Sequence, residues 1–105
     1  GALPAPPPNA GVPASRIRDE IGFIPRLDGG RVSGLVVRSQ GTGELFRRTG
    51  LREGDVVTSI GGRPVGDVAD LDRVASDFKG GGSIPILVER GGQPVPLSLQ
   101  VAPQP

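Results

Sequence analysis

The sequence contains no cysteine, histidine, methionine, tryptophan or tyrosine. Without cysteine or histidine, it cannot form the usual structural zinc sites, cysteine nucleophiles, Ser-His-Asp triads or disulfide bridges. No Gly-Lys-Ser/Thr phosphate-binding motif occurs, and Lys79 is the only lysine. These absences predict a protein that is not an enzyme and has no metal or cofactor. They leave the redox compartment open, because a chain without cysteine tolerates oxidising and reducing conditions alike.

Aromatic residues and charge of one sign are also scarce. Phe23, Phe46 and Phe78 are the only aromatic residues, and 12 basic side chains are balanced by 11 acidic ones, for a net charge of +1. Nucleic-acid binding needs basic residues gathered on one face and often stacking rings, so we expect no nucleic-acid partner. No apolar run approaches the roughly 20 residues of a membrane-spanning helix. We therefore expect no direct membrane contact from this part of the protein.

Proline and glycine, by contrast, are abundant, with 12 and 18 residues. Residues 1–14 hold five of the prolines and no charge, which predicts an extended linker rather than a packed element. We expect one folded domain over residues 15–102 and a disordered tail over residues 103–105. Because the chain starts without methionine or a signal-peptide pattern, we interpret it as a piece of a larger protein.

After residue 14, short periodic segments alternate with glycine turns, among them the hairpin turn predicted at Gly29-Gly30. Gly50 is predicted to be the C-cap of the helix before it. Apolar residues three or four apart indicate helices, whereas apolar residues two apart indicate strands. The predicted helices cover residues 15–21, 44–48 and 67–78, and the predicted strands cover residues 23–28, 31–38, 56–60, 63–65 and two final segments joined by Gly91-Gly92. The last of these strands begins with Pro94 and Pro96, which cannot donate to a strand ladder, so we expect it at a sheet edge.

The helix over residues 67–78 is the clearest element. Asp67 is its predicted N-cap, and its apolar face is predicted to include Leu71, Val74 and Phe78. Its charged residues, expected to face water and pair along the surface, are Asp70, Arg73 and Asp77. The whole pattern predicts an α+β domain, a small and partly open β-barrel or sandwich of five to six strands capped by one main and two short helices.

The chain contains the motifs GLREGDVV at residues 50–57 and IGGRPV at residues 60–65. These two motifs resemble the most recognisable part of bacterial PDZ domains. Three further stretches, IPRL at 24–27, VSGL at 32–35 and ELFRR at 44–48, are similar to the PDZ domain of protein C of the type II secretion system. The resemblance spans about residues 15–101 and implies the bacterial, permuted arrangement of strands.

The resemblance also implies a peptide-binding groove. PDZ domains add a peptide as an extra strand between a sheet edge and a helix, with backbone amides receiving a terminal carboxylate. By resemblance, the peptide-binding residues are predicted to be Ile21, Gly22, Phe23, Ile24, Val68, Asp72 and Ala75. The amides of the first three are expected to receive the carboxylate. Phe23 and Ile24 are expected to form one wall of the groove, and the last three residues the other. Pro25 has no N–H and removes one bond from the ladder, so we expect binding no tighter than about tens of micromolar, or an internal ligand segment.

Two other interpretations of these residues stay open. Phe23, Leu71, Val74 and Phe78 are all apolar, and a purely structural role in the core explains them without a ligand. Three arginines near the predicted groove, Arg16, Arg18 and Arg26, would attract a ligand carboxylate, although exposed arginines are usually just solvated.

The leading hypothesis is an adaptor module of a type II secretion component. The resemblance then implies an inner-membrane anchor upstream and a periplasmic location. The partners would be a secreted protein or another component of the machinery, such as the outer-membrane secretin. The alternatives are a regulatory, substrate-recognising PDZ domain of a periplasmic envelope protease, and a scaffold whose groove is closed. The sequence identifies neither the ligand nor the oligomeric state of the parent protein.

Overall fold

The computed structural model describes residues 12–104. Most of the predicted proline-rich linker, residues 1–11, lies outside the described residues, as does Pro105. Within the described part, the helices are α1 (Ile17–Glu20), α2 (Glu44–Thr49) and α3 (Asp70–Asp77), and a 3-10 turn (Ala14–Arg16) leads into α1. The strands are β1 (Ile21–Asp28), β2 (Arg31–Ser39), β3 (Val56–Ile60), β4 (Arg63–Pro64), β5 (Gly82–Arg90) and β6 (Gln93–Val101).

The strands form one open antiparallel sheet in the order β1-β2-β3-β5-β6, with β4 paired to β3. This confirms the predicted α+β class, with six strands and with one main and two short helices. The sheet has two edges, β1 and β6. The prediction that the proline-containing final strand lies at an edge is therefore confirmed.

The hydrophobic core lies between the inner face of this sheet and the helices. Alternate residues of neighbouring strands form it, because side chains along a strand point to opposite faces. Leu35, Val57 and Val88 occupy adjacent register positions across three strands and are at most 2% exposed. Leu71 and Val74 of α3 are also buried, and Phe78 packs against the same cluster, as predicted.

Glycines make the predicted turns. Gly29 and Gly30 connect β1 to β2 with φ angles of 58° and 80°, a backbone region that side-chain-bearing residues rarely adopt. Gly50 ends α2 with φ 85° and donates its N–H back to the helix, so the predicted C-cap is confirmed.

The start of α3 differs from the prediction. The regular helix begins at Asp70, three residues after Asp67. The Oδ1 atom of Asp67 accepts a hydrogen bond from the N–H of Ala69 at 3.2 Å, so Asp67 caps the turn that leads into the helix rather than the helix itself. Asp70 itself accepts hydrogen bonds from the N–H groups of Gly66 at 2.7 Å and Asp67 at 3.1 Å, which ties the preceding turn to the helix. Its side chain is only 19% exposed and pairs with Arg73 at 3.0 Å. The prediction that Asp70 faces water was therefore wrong, because the carboxylate is occupied by this turn.

The folded unit also extends past the predicted boundaries. Ala14, assigned to the linker, is 5% exposed in the core. The carbonyl of Val12 accepts a hydrogen bond from the N–H of Ala102 at 2.9 Å, and Gln104 donates to the carbonyl of Lys79 at 2.7 Å. Residues 12–14 and 103–104 are thus tied to the domain by main-chain hydrogen bonds.

Candidate functional site

The open edge of β1 follows from the orientation of β2. Val37 donates its N–H to the carbonyl of Asp55 at 2.9 Å, and its own carbonyl accepts from Gly54 at 3.1 Å. Both partners lie on the β3 side. Because the N–H and C=O of one residue in an antiparallel strand point to the same side and alternate along the chain, Val36 and Arg38 must face β1.

The register then assigns the direction of each polar group in β1. The partners of those two residues are Ile24 and Gly22, so the main-chain groups of Ile24 and Gly22 point into the sheet. The main-chain groups of Phe23 and Pro25 point away from it. In residues 12–104 no strand pairs with this side of β1.

Few N–H donors remain on this edge. Ile21 donates its N–H to the carbonyl of Ile17 at the end of α1, and Gly22 directs its N–H at β2. Pro25 has no N–H. Phe23 therefore carries the one outward amide between residues 21 and 25, whereas the carbonyls of Ile21, Phe23 and Pro25 all face outward. Of the three amides predicted to receive a carboxylate, two point to partners inside the domain.

A cleft of about 400 Å³ lies beside this edge, within the size range of ligand sites. Five of the seven predicted peptide-binding residues line it: residues 21–24 of the edge, and Val68, which precedes α3. Its other lining residues are Arg18, Arg38 and Gln40. The other two predicted residues, Asp72 and Ala75, line a separate cavity of about 30 Å³ between α3 and the 3-10 turn.

The side chains of Phe23 and Ile24 point to opposite faces of the sheet. Phe23 is half-buried and packs against the core, so it has both the structural role and a place in the cleft. Ile24 is 48% exposed and stands on the outer face, because neighbouring strand residues alternate. The predicted pairing of these two side chains as one groove wall does not match this alternation.

Arg18 crosses one end of the cleft. Its Nη2 donates to the carbonyl of Val68 at 3.1 Å, and its Nη1 lies 3.8 Å from the carboxylate of Asp72. The other predicted arginines lie elsewhere: Arg16 pairs with Asp19 at 2.8 Å, and Arg26 reaches Glu89 at 3.2 Å.

Arg38 was missed by the sequence reasoning and reaches the cleft because of Gly22. A Cβ placed on Gly22 would lie 2.7 Å from Cγ of Arg38 and 2.9 Å from Oε1 of Gln40. The stem of Arg38 therefore passes over β1 where the side chain is absent. The available signal was the hairpin register, which puts residue 38 opposite residue 22.

Glu20 fixes the chain just before the site. It is 9% exposed and accepts a hydrogen bond from the Thr42 hydroxyl at 2.6 Å, and this bond lowers the pKa of its carboxyl group. The contact joins the end of α1 to the loop before α2. It thereby holds Ile21 at the start of the edge.

Residues 12–104 contain no cluster of three or more acidic residues arranged to hold a metal ion. Within the same range, no helix combines the length and apolar character required to cross a bilayer.

Comparison with known proteins gives a consistent family. A profile described as "PDZ domain" matches residues 15–101. A curated relative, a probable periplasmic serine endoprotease DegP-like protein of Marinomonas sp. (strain MWYL1), is 35% identical over 66 residues, which cover 63% of this chain and 14% of that protein. The chain therefore corresponds to a small part of that relative.

Solved structures share the fold. The PDZ domain of EpsC from Vibrio cholerae (residues 204–305) has a TM-score of 0.70 at 21% identity, covering 82% of each chain. The PDZ domain of pullulanase C protein of the type II secretion system from Klebsiella pneumoniae, solved in complex with fatty acid, has a TM-score of 0.66 at 23% identity. It covers 80% of this chain and 87% of that one.

Proposed function

The chain belongs to the PDZ family of domains, and on that premise we propose that it binds an extended peptide segment along the open edge of β1. The observation that carries this proposal is the unpaired outward side of β1 beside the cleft of about 400 Å³. A peptide added there continues the antiparallel ladder, and its side chains meet Phe23 and Val68.

The ladder to such a peptide is short of donors. Phe23 supplies one N–H, and Pro25 supplies none where the next one would stand. A lost neutral hydrogen bond removes about 1 kcal/mol of binding free energy, so affinity is expected in the range of tens of micromolar or weaker, roughly −6 kcal/mol. Such weak binding suits a partner that is engaged and released.

The proposed setting is the periplasmic part of an inner-membrane component of a type II secretion system. The likeness of residues 24–27, 32–35 and 44–48 to that family supports it, together with the fold shared with the secretion-system neighbour from Klebsiella. The module then acts as an adaptor that recognises exported proteins or assembles the machinery. It performs no catalysis itself.

An NMR titration tests the binding proposal. Peptides are first selected by display against the unlabelled chain, one set with free C termini and one set blocked at both ends. The best peptide of each set is then titrated into the ¹⁵N-labelled chain. We expect amide shifts to concentrate at residues 21–27 and 68–75. Shifts confined to β6, or no saturable shift with any selected peptide, would contradict the proposal.

A second setting is favoured by one observation, the 35% identity to the DegP-like protease. There the domain would recognise substrates for a protease domain elsewhere in the same protein. Removing the domain from the parent protein in its own bacterium separates the two settings. Loss of type II secretion with unchanged periplasmic proteolysis supports the adaptor, and the reverse result supports the protease.

A fatty acid is a competing occupant, because the Klebsiella neighbour was solved with one and an alkyl chain needs no ladder hydrogen bonds. Titration with decanoate in parallel with the selected peptide distinguishes them. Saturable binding of decanoate together with none of any peptide would replace the peptide proposal with a lipid-binding one.

A further inference from the structure

We propose that the cleft receives the C-terminal carboxylate of its peptide through two guanidinium groups, Arg18 and Arg38, and that Asp72 competes with the ligand for Arg18. This inference rests on the proposed peptide-binding function and specifies its ligand end. It assigns the discrimination between peptide ends to side chains rather than to a cradle of main-chain amides.

The main-chain cradle is largely occupied. Ile21 gives its N–H to Ile17, and Gly22 turns its N–H into the sheet. A carboxylate at the head of β1 finds only the Phe23 amide there. One neutral N–H does not compensate for the hydrogen bonds to water that a carboxylate loses on binding. Positively charged side chains are therefore needed to supply the remaining hydrogen bonds.

The charge lining the cleft is of one sign. Its two charged lining residues are Arg18 and Arg38. Arg38 is exposed and forms no ion pair within residues 12–104. A guanidinium group matches a carboxylate with two parallel N–H donors, so each arginine is suited to this ligand.

Arg18 is positioned by one hydrogen bond, and its Nη1 group forms no hydrogen bond to Asp72. Val68 takes one of its N–H groups at 3.1 Å, while Asp72 stands 3.8 Å away, beyond hydrogen-bonding distance. The side chains of Arg18 and Asp72 are 46% and 77% exposed, so their attraction is weak and easily exchanged. A ligand carboxylate can therefore replace Asp72 without breaking the bond to Val68.

The test compares the best selected peptide with its C-terminal carboxamide form. With the wild-type chain, we expect the amidated form to bind about tenfold more weakly. In Arg18→Gln and Arg38→Gln this ratio should fall to about threefold or less, because each variant loses one charged donor. Asp72→Asn should strengthen binding of the free acid about twofold and leave the amidated form unchanged. Arg63→Gln, an exposed arginine on β4 outside the cleft, is the matched control and should keep the tenfold ratio.

Salt provides a second readout. Raising ionic strength should weaken the free acid and not the amide, because screening acts on the charge pairs. Arg18→Lys keeps the charge and controls for loss of the Val68 contact, with thermal melting to report folding. Equal binding of acid and amide by the wild-type chain overturns this inference while leaving the peptide-binding proposal intact. Failure of every peptide overturns both.

Discussion

The two edges of the sheet solve the same problem in different ways. Exposed strand edges invite pairing with other chains, and proline is one of the devices that prevents it. Along β6 the even-numbered residues face outward, because Ala102 donates to Val12 on that side. Pro94 and Pro96 therefore lie at positions whose N–H would face solvent, so their lack of an N–H costs the sheet no hydrogen bond and leaves this edge with fewer donors.

The edge at β1 also carries a proline, yet it is built differently around it. Pro25 interrupts the outward donors, but the neighbouring Phe23 is half-buried and opens onto the cleft. Val12 and Pro13 join the end of β6 through Ala102. On the outer side of β1, by contrast, no strand is paired within residues 12–104. An edge proline alone thus does not distinguish the two edges. The cleft beside β1 does.

The largest expected effect is on the stability of the fold and comes from Asp55, which lies next to the interior strand β3 and not at either edge of the sheet. Asp55 is 3% exposed and receives two hydrogen bonds from Arg90, at 2.9 and 2.7 Å, and one from the Arg52 amide. Asp55→Ala leaves the guanidinium group of Arg90, which is 25% exposed, and the amide of Arg52 without their acceptor. It should lower the free energy of unfolding by about 2 kcal/mol. Urea denaturation measures it. A loss below about 1 kcal/mol would show that this pair does not anchor the interior strands.

The pH dependence of stability checks the same group. Hydrogen bonds from Arg90 lower the pKa of the Asp55 carboxyl group. Its contribution is therefore complete above the usual carboxyl range and is lost as the pH falls below about 5 toward the lowered pKa. Asp55→Asn should flatten part of this acid loss. Glu20 and Asp70 shift in the same direction and account for acid sensitivity that remains.

Much of this fold was predictable, because local rules and the tertiary structure agree. Strand β3 was predicted with the bounds found, Val56–Ile60, since its apolar run is enclosed by turns. Gly50 ended α2 as expected because a left-handed residue is required there. The start of α3 was predicted three residues too early, because Asp67 caps the turn over residues 67–69 and not the regular helix. Residue type alone does not show that Asp70 instead binds the amides of the residues before it.

The site was less predictable than the fold. The motif resemblance predicted residues 21–24 as groove residues, and all four line the cleft. The direction of each amide, however, depends on strand register, which a motif does not reveal. Arg38 was missed because its position over Gly22 requires knowing how β1 and β2 are aligned. Pairing across strands, rather than residue type, decided both points.

The next effect concerns the turn before α3, which contributes Val68 to the cleft beside β1. Asp70 holds the turn that contains Val68, with hydrogen bonds to two backbone N–H groups. Asp70→Ala should lower stability by roughly 1 kcal/mol and also weaken peptide binding severalfold, because Val68 and its bond to Arg18 lose their position. Asp77→Ala, an exposed residue at the end of α3, is the control and should change neither. Unaltered binding in Asp70→Ala would detach the turn from the site.

A smaller effect tests the donor shortage on β1. Pro25→Ala restores an outward N–H next to the proposed ligand strand and should tighten binding of the selected peptide about fivefold, the value of one hydrogen bond. Decanoate, which forms no ladder, should bind the variant and the wild-type chain equally. Isothermal titration calorimetry measures both. A peptide affinity that does not change would mean that the ligand's backbone does not run along this edge.

The smallest effect is expected on β6, where the same substitution restores the same group. Pro96→Ala adds an outward N–H beside those of Ser98 and Gln100, but no cleft residue lies there. Stability should change by less than about 0.5 kcal/mol and peptide affinity not at all, whereas self-association at high concentration should rise as the free edge lengthens. Sedimentation velocity and the NMR titration measure the two properties. If Pro96→Ala strengthened peptide binding as much as Pro25→Ala, the ligand would be adding to the sheet without regard to the cleft, and the two edges would not differ in function.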